Sequence, residues 1–432
     1  MGLIGAGAVL LWLPVSSAPG RSISFLDAIF TATSAVCVTG LIVVDVPNQF
    51  STPGLVVLLL LIQLGGLGYM TISTVLATTL GRAVTLQERL TLQEALNVQD
   101  LEGLVRFAGT VFKLTLAVEL AGAAVLAVRW WGELGAGGAL WFGLFHSVSA
   151  FNNAGFSLFS DNLMRWRGDV TVNLVITSLI ITGGLGFFVL SELARRARRV
   201  RVTMHTKLVL TATAMLLVGG TVAILVLESG NPRTLGGLAW GERLLAAWFQ
   251  SVSARTAGFN TIDIGAMTAP ALFVMMALMF IGASPGGTGG GVKTTTFGVT
   301  LAALWTTVRG GDEPVVFGRR LSRDTVARAF FVSLIAFLAL NAVAGMLLIT
   351  EGRDLLRTLF ETTSAFGTVG LSMGDNASVV SLSAFFTPLG KMLTMAMMFM
   401  GRIGPLTLAF ALARRATTQA RIRYAEGKVL IG

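Results

Sequence analysis

Four stretches of this sequence run through the same residues to a glycine. Phe30, Ser34, Ala35 and Gly40 recur as Phe145, Ser149, Ala150 and Gly155, as Phe249, Ser253, Ala254 and Gly258, and as Phe360, Ser364, Ala365 and Gly370; the third copy is one residue shorter. Before the glycines stand Val38 and Thr39, Asn153 and Ala154, Thr256 and Ala257, and Thr368 and Val369. The chemistry open to such stretches is coordination of a cation by main-chain oxygen. Extended strands meeting at an axis can present carbonyls to an ion, provided nothing bulky stands where the chain is crowded or unusually twisted, and glycine meets that condition. One such stretch would mean little, but four in register form a strong pattern.

A second internal pattern lies downstream of three of the copies. Gly65, Gly66 and Gly68 match Gly183, Gly184 and Gly186, and Gly401 and Gly404 match both, with Arg402 in place of the middle glycine. A cation inside an apolar segment costs at least about 2.5 kcal/mol and usually faces a bundle interior or cavity. The sequence around Arg402 predicts a mid-span position in a permeation path, where its charge would oppose cation flow; the alternative is a helix-end arginine snorkelling to the interface. After the third copy, Ser284, Pro285, Gly286, Gly287, Thr288, Gly289, Gly290 and Gly291, with Lys293 close behind, cannot continue a regular helix, since Gly and Pro are the poorest helix formers. A loop between two half-helices is predicted there, of the kind that can move as a gate. Lys293 is expected at the loop end near the cytoplasm or paired with a carboxylate. The run 287–294 superficially resembles a phosphate-binding loop, but Val292 stands where its last Gly belongs and no strand precedes it.

Acids follow the four glycines at nearly constant distance: Asp45, Asp161, Asp263 and Asp375. Four carboxylates at an outer mouth would concentrate cations. Aspartate also suits the start of a loop; fourfold recurrence favours the ring.

The elements that must position these residues are apolar. The chain has 432 residues, 54% hydrophobic and only 12% charged, a membrane composition. Apolar runs such as 55–80, 208–227 and 330–349 are long enough to cross roughly 30 Å of hydrocarbon. Each glycine copy lies between such runs, yet is too polar to face lipid. Non-helical chain at that depth survives only when buried in protein or lining a watery cavity. A half-membrane helix that ends in an extended loop satisfies this. The expected fold is therefore an all-α membrane protein of four tandem helix, pore loop, helix repeats, arranged pseudo-fourfold around a single ion pore. The units are 1–83, 84–200 with an amphipathic connector at 85–107, 201–308 and 309–412, followed by a basic tail at 413–432.

The net charge of +10 is spread over short segments between spans, which argues against nucleic acid. Arg195, Arg196, Arg198, Arg199, Arg201 and Lys207 fall in one connector, Arg309, Arg319, Arg320, Arg323 and Arg328 in another, and Arg414, Arg415, Arg421, Arg423 and Lys428 in the tail. The positive-inside rule makes all three cytoplasmic, with the loops between spans entering from outside. The run 1–20 reads as the end of a first span, because no basic residue precedes it as in a signal peptide. Cys37 is the single cysteine, so no intramolecular disulfide can form.

The four stretches resemble the Ktr/Trk/HKT superfamily of cation-translocating subunits, and within it the membrane subunit of bacterial Ktr potassium uptake systems. Thr368, Val369, Gly370, Leu371 and Ser372 come close to the Thr-Val-Gly-Tyr-Gly filter of potassium channels. In that superfamily, glycine at all four filter positions accompanies potassium preference, and serine in the first accompanies sodium. With Gly40, Gly155, Gly258 and Gly370, the resemblance implies selectivity for K+ through a somewhat less stringent pore. It implies that the 284–291 stretch is an intramembrane gating loop. It also implies a homodimer with one pore per subunit in the cytoplasmic membrane, surrounded by membrane lipids and driven by a cytoplasmic nucleotide-binding regulatory ring. A coupled Na+/K+ transporter on the same fold is the alternative. No organic cofactor is expected on this chain. An enzyme is not expected either, because no paired catalytic groups stand within spans. His146 and His205 are isolated, without a second ligand at metal spacing. Glu119 and Asn341 lie within spans as packing contacts or ion-path residues.

Overall fold

The computed structural model describes residues 1–68, 104–196, 202–375 and 378–404. The amphipathic stretch at 85–107 lies outside these up to residue 103, as do Arg198, Arg199, Arg201 and the tail at 413–432. The described chain is mostly helical. Its helices are α1 (Gly2–Trp12), α2 (Phe25–Val36), α3 (Thr52–Leu67), α4 (Leu104–Phe151), α5 (Val170–Gly184), α6 (Phe187–Arg196) and α7 (Met204–Glu228), then α8 (Trp240–Ser253), α9 (Ala269–Phe280), α10 (Thr294–Val308), α11 (Arg323–Glu351), α12 (Leu355–Gly367) and α13 (Pro388–Ile403). A small antiparallel hairpin, Val315–Val316 with Arg319–Arg320, turns at Phe317 and Gly318, both of positive φ.

Among the described residues, three stretches are long and apolar enough to cross a membrane, Phe107–Phe151, Met204–Glu228 and Arg323–Glu351. The first is two helices joined at Gly135, whose φ of 67° and ψ of 173° break the helical path. Val170–Gly184 and Phe187–Ala194 pass the same test as a pair bent by 103°. Helices α1, α2, α3 and α9 are apolar but shorter.

Helix starts follow local chemistry. Thr203, Thr268, Ser322 and Thr387 cap α7, α9, α11 and α13 by accepting a backbone N–H, and Pro53, Pro270 and Pro388 sit in first turns where no donor is needed. The caps also tie neighbouring helices together. Ser51, at the start of α3, donates to Val15 O at 2.5 Å, and Asp169, at the start of α5, pairs with Arg129 of α4 at 2.5 Å. Glu228 at the end of α7 accepts from Thr268 N and Oγ1, and Glu351 at the end of α11 accepts from Thr387 N and Oγ1. Each clasp satisfies polar groups at a helix end while fixing where the next helix begins.

The core explains half of the repeated motif. Phe30, Phe145, Phe249 and Phe360 are fully buried, and so are Ala35, Ala150, Ala254 and Ala365. Each Phe anchors its short helix in apolar surroundings, and each Ala lets a neighbour approach closely.

Candidate functional site

The other half of the motif, the serine, holds the strand that follows it. In every copy the amide just before the glycine donates to the serine carbonyl: Thr39 to Ser34 at 2.8 Å, Ala154 to Ser149 at 2.8 Å, Ala257 to Ser253 at 2.9 Å and Val369 to Ser364 at 2.9 Å. The shorter third copy keeps this bond with one residue fewer inside it. The hydroxyls add a second bond of two kinds. Ser34 and Ser364 accept from the amides of Gly40 and Gly370, each at 3.0 Å. Ser149 and Ser253 instead donate to the carbonyls of Phe156 and Phe259.

The strands are unusual in backbone conformation. Val38, Asn153, Thr256 and Thr368 have φ of 50°, 57°, 77° and 49°, and Gly40, Gly155, Gly258 and Gly370 have φ of 89°, 69°, 80° and 90°. A non-glycine residue in the left-handed region costs roughly 1–3 kcal/mol and persists only where its surroundings impose it. Left-handed residues two apart, with one ordinary residue between them, turn successive carbonyls toward one side of the strand.

The glycines lie against one another in cyclic order. A Cβ added at Gly40 would come closer than 3.0 Å to Ala154 O, one at Gly155 to Ala257 O, one at Gly258 to Val369 O, and one at Gly370 to Thr39 O. Any side chain at these positions would strike a neighbouring strand. All four glycines, with Asp45, Asp161 and Asp263, line one cavity of about 480 Å3.

The four acids differ in their partners. Asp45 accepts from Asn48 Nδ2 at 2.6 Å and Ser160 Oγ at 2.9 Å, and Asp263 accepts from Gly265 N at 2.9 Å. Asp161 is paired with Arg165 at 2.8 Å. Asp375 is held by Arg353 at 2.8 Å and Arg357 at 3.2 Å. Two of the four charges are thus compensated where they stand.

The loop between α9 and α10 meets the strands at residues just before the glycines, and none of its residues lines this cavity. Its ends pair, with Gly282 N donating to Val292 O at 2.9 Å and Val292 N to Phe280 O at 3.1 Å. Within it Ser284 bonds Thr294 through their hydroxyls at 2.8 Å, and Gly286 and Gly291 take positive φ. Pro285 and Gly287 complete the turn: a Cβ at Gly186 would strike Pro285 O, and one at Gly287 would strike Gly183 O. Its middle abuts three of the four strands. Asn153 Nδ2 donates to Thr288 Oγ1 at 2.8 Å, Gly289 packs on Thr256, and Gly290 N donates to Thr368 Oγ1 at 2.9 Å. Lys293 donates to Gly289 O at 2.7 Å, so among the described residues its partner is a carbonyl of its own loop.

Arg402 closes the arrangement. It lies in the last turn of α13, just before Gly404; the apolar run 406–412, which with Arg402 makes up the expected mid-span position, lies outside the described residues. Its guanidinium turns inward, donating to Thr288 O, Gly65 O and Gly66 O. A planar fork of five N–H donors suits several carbonyls at once. Gly65, Gly183 and Gly401 themselves press on the carbonyls of Val36, Phe151 and Phe366, which leaves no room for a Cβ. This accounts for the first glycine of the pattern downstream of the copies.

Residues 4–420 match the TrkH family, described as cation transport protein. The chain belongs to this family. It is 44% identical over 426 residues to Ktr system potassium uptake protein B of Bacillus subtilis, covering 99% of this chain and 93% of that protein. It is 43% identical to the Vibrio alginolyticus protein of the same name, covering 100% of this chain and 93% of that one. Potassium/sodium uptake protein NtpJ of Enterococcus hirae is 37% identical, with 100% of this chain and 95% of that protein covered. The crystal structure of the potassium transporter TrkH from Vibrio parahaemolyticus shares the fold, with a TM-score of 0.74 at 20% identity over 95% of this chain and 82% of that one. As a member of the family with several long apolar helices, the chain is an integral membrane protein.

Sequence reasoning missed several members of this site. The bend between α5 and α6 at Gly186 was not anticipated, although Phe187 N donates across it to Gly286 O of the loop at 3.0 Å. Arg255, inside the third copy, is buried and donates to Gly282 O at 3.1 Å. Glu119, left open from sequence, is 2% exposed, and receives Gln63 Nε2 at 3.2 Å and Asn152 Nδ2 at 3.0 Å behind the second strand. A charge beside a repeated glycine is the signal that could have drawn attention to Arg255, as the charge within a span did to Glu119. His146 is buried by aromatic rings and bonds Phe142 O at 2.8 Å and Ser157 Oγ at 3.0 Å, in keeping with a hydrogen-bonded histidine.

Proposed function

We propose that this chain is the potassium-translocating membrane subunit of a bacterial uptake system, and that K+ passes between four glycine-containing strands arranged pseudo-fourfold around one pore. The observation that carries this is the cyclic contact of Gly40, Gly155, Gly258 and Gly370 on strands whose backbone handedness alternates. In this reading Val38, Thr39, Asn153, Ala154, Thr256, Ala257, Thr368 and Val369 supply carbonyls that replace the water around a dehydrating ion. The serine and amide bonds behind each strand hold those carbonyls in place, so that a smaller ion is not gripped by collapse of the ring.

The 284–291 loop and Arg402 form the gate, and the arrangement described is its closed state. A cation leaving the strands meets Thr288, Gly289 and Gly290, and then a guanidinium charge. Opening requires the Arg402 bonds to Thr288, Gly65 and Gly66 to break and the loop to leave Thr256 and Thr368. The trigger is assigned to a cytoplasmic regulatory ring that binds nucleotide, with the chain working as a homodimer. The relatives' designation as component B of a Ktr system supports a second component.

The test is ion uptake into proteoliposomes holding the purified chain, comparing K+, Rb+, Na+ and Li+ for the native protein and Gly370→Ser. Selective K+ and Rb+ flux that loses its selectivity in the variant is expected. Equal flux of all four ions in the native protein would overturn the reading.

A second reading, coupled Na+/K+ transport, is favoured by the name of the Enterococcus hirae relative. Dependence of Rb+ uptake on a Na+ gradient would select it.

A further inference from the structure

Glu361 follows the buried Phe360 on α12 and is 1% exposed. A carboxylate placed so deeply needs partners, because burying an unpaired one is costly. Its Oε2 accepts the Ser372 hydroxyl at 2.6 Å; its Oε1 accepts the Ser383 amide at 2.9 Å and meets the Ser383 hydroxyl. Ser372 stands two residues beyond Gly370. Its Oγ already accepts the amides of Gly374 at 3.1 Å and Leu382 at 2.9 Å, so both lone pairs are taken and its one hydrogen must be donated. Only an acceptor can face it. On the Ser383 side, too, the carboxylate meets a backbone donor. A glutamine could not serve both, since whichever way its amide turned, the NH2 would meet a donor or a filled acceptor.

The arrangement continues to another strand. Ser381 N donates to Ile42 O at 2.9 Å, and Ser381 Oγ accepts from Ile42 N at 3.0 Å. Ile42 stands two residues beyond Gly40. The same helix position braces its own strand in two other copies, His146 reaching Ser157 at 3.0 Å and Gln250 reaching Thr261 at 3.4 Å. In the first copy it does not: Thr31 donates back to Asp27 O of its own helix at 2.8 Å. The first strand receives its brace from the fourth copy.

We propose that Glu361 is a positioning residue for ion selectivity, its carboxylate fixing the outer ends of the Gly370 and Gly40 strands together through Ser372, Ser383 and Ser381. This rests on the reading of those strands as the filter. The two strands it joins are neighbours in the glycine cycle, where Gly370 lies against Thr39 O.

The experiment measures Rb+ and Na+ flux into proteoliposomes for Glu361→Gln, Ser372→Ala, the double variant and Gly370→Ser. Glu361→Gln is expected to lower the Rb+ to Na+ ratio about tenfold, which corresponds to ~1.4 kcal/mol. Ser372→Ala should lower it less, because the Ser383 and Ser381 arm survives. The double variant should be no worse than Glu361→Gln alone, as residues acting through one bond are not additive. A merely structural role would reduce total flux and thermal midpoint while leaving the ratio native. Such a result in Glu361→Gln, beside a Gly370→Ser that has lost selectivity, overturns the brace and spares the filter. If Gly370→Ser also keeps the native ratio, the filter reading falls and the brace with it. Should Glu361→Gln fail to fold, Ser372→Ala and Ser381→Ala decide, and native ratios in both overturn the proposal.

Discussion

Arg402 Nη2 lies 3.2 Å from the carbonyl oxygen of Gly66, although 336 residues separate them. The bond joins the last turn of α13 to the glycine pair of α3, and the same guanidinium reaches Thr288 in the loop between α9 and α10. One side chain thus links three elements. Replacing it should release all three. Arg402→Ala is expected to raise Rb+ uptake into proteoliposomes several-fold at unchanged protein incorporation. Arg402→Lys should fall between, since a single ammonium keeps the charge but cannot fork to three carbonyls. Uptake in Arg402→Ala at or below the native rate would remove Arg402 from the gate.

The two kinds of serine bond separate the four copies in a way that can be measured. Ser34→Ala leaves the buried Gly40 amide without its hydroxyl acceptor, and an unpaired buried donor costs about 1–3 kcal/mol; Ser364→Ala does the same to the part-buried Gly370 amide. Ser149→Ala removes a donor from the Phe156 carbonyl, and carbonyls left short of a partner are better tolerated than orphaned amides. Ser364→Ala and Ser34→Ala are therefore expected to lower the Rb+ to Na+ flux ratio more than Ser149→Ala and Ser253→Ala do. Equal losses in all four would mean that the hydroxyls only pack.

What could be read in the sequence was what recurs. Phe30, Ser34 and Gly40 have equivalents in every copy because each copy solves the same problem, anchoring a short helix and bending a strand at its end. The loop after α9 was legible because its glycines and Pro285 exclude a helix by local conformational preference alone. The position of Glu361 was not, because it is Thr31, His146 and Gln250 in the other copies and the chemistry changes with each. Nor could Arg402's partners be read, since they are main-chain carbonyls that any residue carries. The partners of the acids were hidden for a related reason. Asp375 recurs in spacing, but its charge is met by Arg353 and Arg357 from the turn that begins α12, a pairing that spacing between copies does not reveal.

The large cavity offers a test of charge that does not touch the strands. Asp45 and Arg165 both line it, and Arg165 neutralises Asp161 there. If the cavity gathers cations, the two residues act with opposite sign. Asp45→Asn removes a negative charge and should lower Rb+ uptake. Arg165→Gln frees Asp161 and should raise it. Both effects depend on unscreened charge, so they should be largest near 0.01 M ionic strength, where the Debye length is about 30 Å, and fade toward 1 M, where it is about 3 Å. Neither substitution should alter the Rb+ to Na+ ratio, because a field at the mouth concentrates both ions alike. Native uptake by both variants at low salt would show that the acids serve only their loops. A change in the ratio would instead mean that the cavity wall reaches the ion as it enters the strands, which would assign Asp45 and Asp161 to selection and not to attraction.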